Sequence, residues 1–297
     1  MNSYFYAEEE WLITKDWRRL TRKISISTLK YSILIIGAIV AILPFYWLFI
    51  SSLKTPGEII ARLTWWPENP NLMNFYDALN FLRPPIYRAF MNSIIVTGSY
   101  TVLLLLGSSL TAYALAKYRF RGGRLVFWII ISTMMLPGVI TLVPSVMLMF
   151  WFGWLDTYWP LIIPGAVNAY TVFLLRQYMI TVPDEVLDAA RLYGCSEFGL
   201  FWRIMLPLCK PALAAIGLIN FVWSWNDFLW PLIIISDQNK FTMQLALMGL
   251  WDIHGTLSQL NLVSACTVYA TLPLIICSII TSKHFIKGFT GLTYTKR

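Results

Sequence analysis

Histidine is nearly missing from this chain: His254 and His284 are the only two, and neither belongs to a Ser/His/Asp constellation. Catalysis by such a set is therefore not indicated. Cysteine offers no chemistry either. Cys195, Cys209, Cys266 and Cys277 form no C-x-x-C pair and lie near no histidine cluster, so neither a metal site nor a disulfide framework is suggested. They read as small apolar fillers. A G-x-x-x-x-G-K-[ST] phosphate loop is absent, so the chain has no usual means of cradling ATP. Charge is scarce too, at 13% of 297 residues.

What is there is apolar: 58% hydrophobic residues and a mean hydropathy of +0.62, more than one soluble core of this length could hide. Lipid is the implied solvent. Six apolar stretches, Tyr31–Leu53, Phe90–Ala116, Leu125–Leu155, Thr157–Leu175, Pro211–Ile235 and Leu260–Ser282, are each long enough to cross about 30 Å of hydrocarbon as helix. The third and fourth are separated only by a turn around Gly153–Asp156. The expected fold class is an all-α integral membrane protein with six transmembrane helices, without internal repeats or low-complexity tracts.

The net charge of +8 does not point to nucleic acid, because the basic residues fall in blocks between the apolar stretches. Eighteen of them lie in segments on one side and only five, Lys54, Arg62, Arg83, Arg88 and Lys240, on the other. The richer side faces the cytoplasm by the positive-inside rule, which predicts cytoplasmic termini and a cytoplasmic 176–210 loop. The first apolar run is too long for a signal-peptide core and has no small-residue cleavage site after it, so it is expected to be retained. In the tail of residues 1–30, Ile13, Trp17, Leu20 and Ile24 recur at helical spacing beside Arg18, Arg19, Arg22 and Lys23. That pattern fits either an interfacial amphipathic helix or a tail obeying the charge rule. Residues 54–89 hold five prolines around Trp65 and Trp66 and read as an outer loop or short helices with interfacial aromatics.

The loop over about 181–207 carries the strongest local signals. Pro183, Asp184 and Glu185 start a helix, and Gly194 stops it where a positive φ is tolerated. Ser196 can cap a second helix running until Pro207, giving a helix–turn–helix between two spans. Val186, Ala189, Ala190 and Tyr193 share a face of the first helix, and the paired alanines allow close approach of another protein.

Asp188-Ala189-Ala190-x-x-x-Gly194, followed by Ile204-x-Leu206-Pro207, resembles the EAA loop of ABC importer permeases. Asp188 stands where the motif has Glu, and Tyr193 where an acidic residue is common. Asn92-Ser93, the run from Ala112 to Gly122, Trp225-Asn-Asp-Phe-Leu-Trp-Pro231 and Lys287-Gly-Phe-Thr-Gly291 together resemble the MalG-like subunits of carbohydrate importers, a similarity extending from about residue 30 to the C-terminus. The resemblance implies a type I ABC importer permease domain over 31–297 in the bacterial cytoplasmic membrane. It also implies a MalF-like second permease subunit, two ATPase subunits that bind ATP and Mg in this chain's stead, and an extracytoplasmic sugar-binding protein. Asp188, Ala189, Ala190, Tyr193, Gly194 and Pro207 are then the expected ATPase-coupling residues, with no catalytic residue, metal or cofactor in this chain and no nucleic-acid partner.

For the substrate pathway, Asp227 is the one acidic residue well inside an apolar stretch, where charge is costly. Asn220, Trp223, Ser224 and Asp227 follow helical spacing and combine hydrogen-bonding groups with an aromatic platform suited to sugars. Polar residues also hold helices together, so a packing role competes. Pro137, Gly138 and Pro144 weaken the third stretch where backbone can line a cavity. The alternative function, an ion-coupled secondary transporter or channel subunit, needs more intramembrane carboxylates than this one.

Overall fold

The computed structural model describes the backbone of residues 3–61, 64–80, 84–254 and 259–291, and the side chains of 27–60, 64–80, 84–250 and 259–281. Among these residues the chain is helical, with no strand. Helix α1 (Ser3–Leu53) runs through the tail and the first apolar stretch without interruption, Pro44 included. Its apolar part, Ser27–Leu53, is long and apolar enough to cross a membrane and is left almost bare by the rest of the chain. The side chains that give the tail its amphipathic spacing lie outside those described, as do those of His254, His284 and the 287–291 motif.

Two short helices, α2 (Pro56–Ala61) and α3 (Met73–Asn80), follow. Asn74 of α3 donates to the carbonyls of Ser52 and Lys54 at 2.8 and 2.9 Å and accepts from Asn261 at 3.0 Å, so one amide side chain ties three segments together. Lys54 is buried beneath them. Its ammonium donates to the Thr64 carbonyl at 2.5 Å and lies 4.6 Å from the centre of the Trp47 ring. Without a hydrophobic force between helices in lipid, such polar contacts and close packing are what hold the elements together.

Helix α4 (Ile86–Lys117) is the central strut, 32 residues with no proline, and it packs against most later elements. Asn92 on it donates to the carbonyls of Asn239 and Phe241 at 2.9 and 3.0 Å, and the Ser93 hydroxyl accepts from the amide of Met243 at 2.7 Å. The Asn92-Ser93 pair thus satisfies backbone that would otherwise be stranded in a turn.

The next apolar stretches are not single helices. Leu125–Leu155 is divided into α5 (Gly123–Thr133) and α6 (Gly138–Trp151), which meet at 101°. Pro137 cannot donate to a helical ladder and disfavours helical backbone at Leu136, so the chain turns over 134–137. Pro144, by contrast, stays inside α6. Thr157–Leu175 is likewise split into α7 (Trp159–Ile162) and α8 (Ala169–Ile180), since Pro164 and Gly165 interrupt the ladder and Asn168 caps α8 by accepting from Thr171 at 3.2 Å. The 163–168 turn is seated on α4 at Gly107, where a Cβ would collide with the Ala166 carbonyl oxygen.

Helices α9 (Asp184–Leu192) and α10 (Glu197–Leu208) form the loop, and α10 meets α11 (Lys210–Trp225) at 77°. After a break at 226–228, α12 (Leu229–Ile234) completes the fifth stretch. Helices α13 (Met243–His254) and α14 (Leu260–Gly291) end the described chain. Among the described residues three helices are long and apolar enough to span alone, or five spans if each bent pair counts as one. Proline and glycine thus break the third and fourth of the stretches that hydropathy alone joins, and the fifth is broken at 226–228. Buried residues gather in three clusters, one of which joins the end of α4 and α8 to Leu187 of α9 and to Leu200, Phe201 and Met205 of α10.

Candidate coupling loop and cleft

The loop is built by local sequence. The non-helical backbone of Pro183 opens α9, and Asp184 and Glu185 occupy its first turn beside the positive end of the helix dipole. At the other end Gly194 has φ +81°, its amide bonds the Arg191 carbonyl at 2.9 Å and the Cys195 amide bonds that of Ala190 at 3.0 Å. This is the Schellman arrangement that a glycine permits. Ser196 then caps α10, its hydroxyl accepting from the Gly199 amide at 3.2 Å. Over Leu200–Met205 the helix widens to i→i−5 bonding, and Pro207 is absorbed inside it, so α10 ends at Leu208 rather than at the proline.

Charged side chains lock this shape. The Arg191 guanidinium contacts Asp188 at 2.7 Å on its own helix and Glu197 at 2.8 and 3.2 Å across the turn. Glu197 also accepts from the Tyr118 hydroxyl. Lys117, whose side chain is only 4% exposed, donates to the Val182 carbonyl at 2.5 Å and to Asp184 at 2.6 Å. The hydrogen bond and charge of Lys117 hold the Asp184 carboxyl below the usual range, and the bonds from Arg191 and Tyr118 do the same for Glu197. Burial and the Glu197 bond push the Tyr118 phenol up. Asp188, shorter than the residue it replaces, is thus engaged by Arg191 of its own chain.

The structure divides the expected docking face. Val186, Ala189 and Tyr193 are exposed, Tyr193 at 93%, whereas Ala190 is half-buried and packs with Leu187 on the core beneath. Leu192, at 89%, joins the exposed surface. Beyond Gly194, a hollow of ≈ 530 Å³ is lined by Cys195, Phe198, Gly199, Trp202 and Arg203.

A second site lies away from the loop. Trp223, Ser224 and Asp227 line a cleft of ≈ 320 Å³ with Tyr100 of α4, Pro160, Leu161, Pro164, Gly165 and Trp230. The four candidate pathway residues do not share one helix face. Helix α11 ends at Trp225, so Asp227 sits in the break beyond it and accepts from the Trp230 amide at 3.4 Å. Asn220 is fully buried away from the cleft, donating to Thr171 at 3.3 Å and to the Ile216 carbonyl at 2.8 Å. Ser224 is within 3.3 Å of Thr97 on α4, and the Trp223 ring lies 5.8 Å from that of Tyr170. The cleft combines aromatic faces, hydroxyls and one carboxylate, and among the described residues no lysine or arginine lines it.

The profile of the family of binding-protein-dependent transport system inner membrane components matches residues 104–290, well over half of the chain. The chain belongs to this family. It is 35% identical over 250 residues to the arabinooligosaccharides transport system permease protein AraQ of Bacillus subtilis (strain 168), covering 83% of this chain and 88% of that protein. It is 31% identical over 261 residues to the sn-glycerol-3-phosphate transport system permease protein UgpE of Yersinia pestis bv. Antiqua (strain Antiqua), covering 86% and 92%. Among solved structures, a chain of a bacterial ABC transporter involved in the import of the acidic polysaccharide alginate superimposes with a TM-score of 0.79 at 26% identity, over 88% of this chain and 96% of that one. The inner membrane component is an importer's transport subunit, which leaves the ion-coupled alternative without support.

Lys117, Tyr118, Arg191, Glu197 and Tyr100 were not among the expected site residues. The first four were visible as a basic–aromatic pair closing one stretch and as a cation and a carboxylate flanking Gly194. Their partners lie up to 79 positions away, beyond the reach of local pattern. Tyr100 carried no local signal at all.

Proposed function

We propose that this chain is the permease subunit of an ATP-driven importer that moves a sugar or oligosaccharide across the bacterial cytoplasmic membrane by alternating access. The α9–α10 loop seats against a separate ATPase subunit, and the cleft at Asp227 forms part of the sugar's path. ATP and Mg are bound by two such ATPase subunits. A second, MalF-like permease subunit completes the passage, and an extracytoplasmic binding protein delivers the sugar.

One observation carries the coupling role: α9 exposes Val186, Ala189, Leu192 and Tyr193 to solvent, next to a turn braced by Arg191. Exposed apolar side chains on a rigid, charge-locked turn are what a protein partner would cover. The sugar reading rests on the aromatic and hydroxyl lining of the cleft, and it accords with the names of relatives that handle arabinooligosaccharides and alginate. Orientation follows the basic residues, eighteen of 23 on the loop side, so the loop and both termini face the cytoplasm.

The experiment is to purify the complex from membranes, quantify the ATPase subunits retained, and measure ATP hydrolysis with and without sugar-loaded binding protein. Wild-type complex should hydrolyse ATP faster with the loaded binding protein, and Tyr193→Asp should lose the ATPase subunits at normal membrane levels of this chain. Retention of full ATPase content and stimulation by that variant would remove the coupling role from α9.

A further inference from the structure

The loop is joined to the rest of the chain in two ways. Along the backbone it connects to α8 through the non-helical Thr181–Pro183 segment and to α11 through the 77° bend at Cys209. Both are bends. Through side chains it packs in the buried cluster with α4 and α8, and its polar side-chain contacts reach α4 from both of its own elements. Lys117, the last residue of α4, bonds the Val182 carbonyl and Asp184 at the start of α9. Tyr118, the next residue, bonds Glu197 at the start of α10. Arg191 closes the frame by bridging α9 to Glu197.

Helix α4 itself is unbroken from Ile86 to Lys117. Lys117 lies seventeen positions beyond Tyr100, about 25 Å of helix. Near the middle of α4, Tyr100 lines the cleft and Thr97 contacts Ser224, another lining residue. The same helix therefore touches the cleft near its middle and holds both halves of the loop at its C-terminal end.

We propose that Lys117 and Tyr118 are positioning residues that fasten the coupling loop to α4, so that a displacement of the loop is delivered along this helix to the cleft. The inference rests on the coupling role proposed for α9 and α10. Neither residue lies on the exposed α9 face, so docking of the ATPase and transmission of its motion are separable. Lys117 is nearly covered, and removing its ammonium takes away hydrogen bonds to a carbonyl and a carboxylate.

The test uses the full complex reconstituted in vesicles with its partner permease, ATPase subunits and binding protein. The variants are Lys117→Gln, Tyr118→Phe, their double, and Lys117→Arg as the conservative control. Three quantities are read: ATPase subunits retained, basal ATP hydrolysis, and the stimulation of hydrolysis and sugar uptake by loaded binding protein. The double variant should keep its ATPase subunits and basal hydrolysis while stimulation and uptake fall about tenfold, within the usual range of coupling between sites. Lys117→Arg should recover most of both. Uptake within about twofold of wild type in the double variant would show that the backbone connections and the buried cluster suffice and would overturn the proposal. Loss of the ATPase subunits from the double variant would also overturn it, since the residues would then be shaping the docking surface. If Tyr193→Asp retains the ATPase and Lys117→Gln still uncouples, the docking assignment fails and the α4 link stands.

Discussion

The Nε of Arg191 lies 2.8 Å from a carboxylate oxygen of Glu197, so a charge pair closes the Gly194 turn from outside while the backbone closes it from within. Exposed pairs contribute little alone. This one is two-pronged and shared with Asp188 and Tyr118, which gives it the geometry of a network. Glu197→Gln should leave α9 and α10 intact but loosen their relative orientation, read as faster amide exchange over residues 191–199 in the purified complex. Unchanged exchange would mean that the Schellman backbone alone sets the turn.

The same pair predicts the pH response of the loop. Glu197 and Asp184 have carboxyls held below their ordinary values by Arg191 and Lys117, so their contribution is fully present above those values and is lost only as pH falls through the depressed ones. Loop protection should be constant from about pH 6 to 8 and decline only below about pH 4. A transition near neutrality in the exchange profile would contradict this.

Gly194 should tolerate substitution according to backbone preference, since no atom lies within 4 Å of a Cβ built there and the cost is its φ of +81°. Gly194→Asn should lose less ATPase association than Gly194→Val, with about 1 kcal/mol or more separating a residue that accepts left-handed backbone from one that resists it. Equal loss by both, at equal membrane levels, would point to a partner contact instead.

The two alanines should behave differently. Ala189→Leu places bulk on the exposed face and should weaken ATPase retention while the loop stays folded. Ala190→Leu overpacks the contact with Leu187 and should cost about 1–3 kcal/mol within the chain, seen as increased protease sensitivity of the loop before any partner is added. Identical behaviour of the two would mean that the half-burial of Ala190 has no consequence.

At the cleft, Asp227→Asn preserves an oxygen that can accept from the Trp230 amide but removes the charge, whereas Asp227→Ala removes both. If the carboxylate takes part in sugar passage, the Asn variant should reach normal membrane levels yet transport slowly. Full uptake by the Asn variant combined with poor accumulation of the Ala variant would assign Asp227 to capping α12.

Much of this was legible before any coordinate. Pro183, Gly194 and Ser196 are local determinants whose chemistry acts within four residues, and the ends of α9 and the start of α10 fall where they dictate. The breaks at 134–137 and 226–228 were harder to see. Pro137 had marked one as a weak point, but hydropathy averages over a window wider than a turn, so both halves merged into one apolar stretch. Asn220 shows the other failure. Helical spacing placed it with Trp223 and Ser224, but its amide finds Thr171 on α8, and a partner 49 positions away leaves no trace in local sequence. Ala190 was grouped with Ala189 because one helix face spans both, and only the position of Leu187 in the core decides which of them turns inward.

Gly107 allows the Ala166 carbonyl so close to α4 that no side chain fits between, and Gly165 brings its own backbone against the Tyr100 ring in the same way. A side chain at 107 or 165 would therefore prise the 163–168 turn away from α4, and with it one part of the cleft lining. Trp223, Ser224 and Asp227 are set on the other footing, at a helix end that is already broken, where a change of side chain meets no such backbone contact.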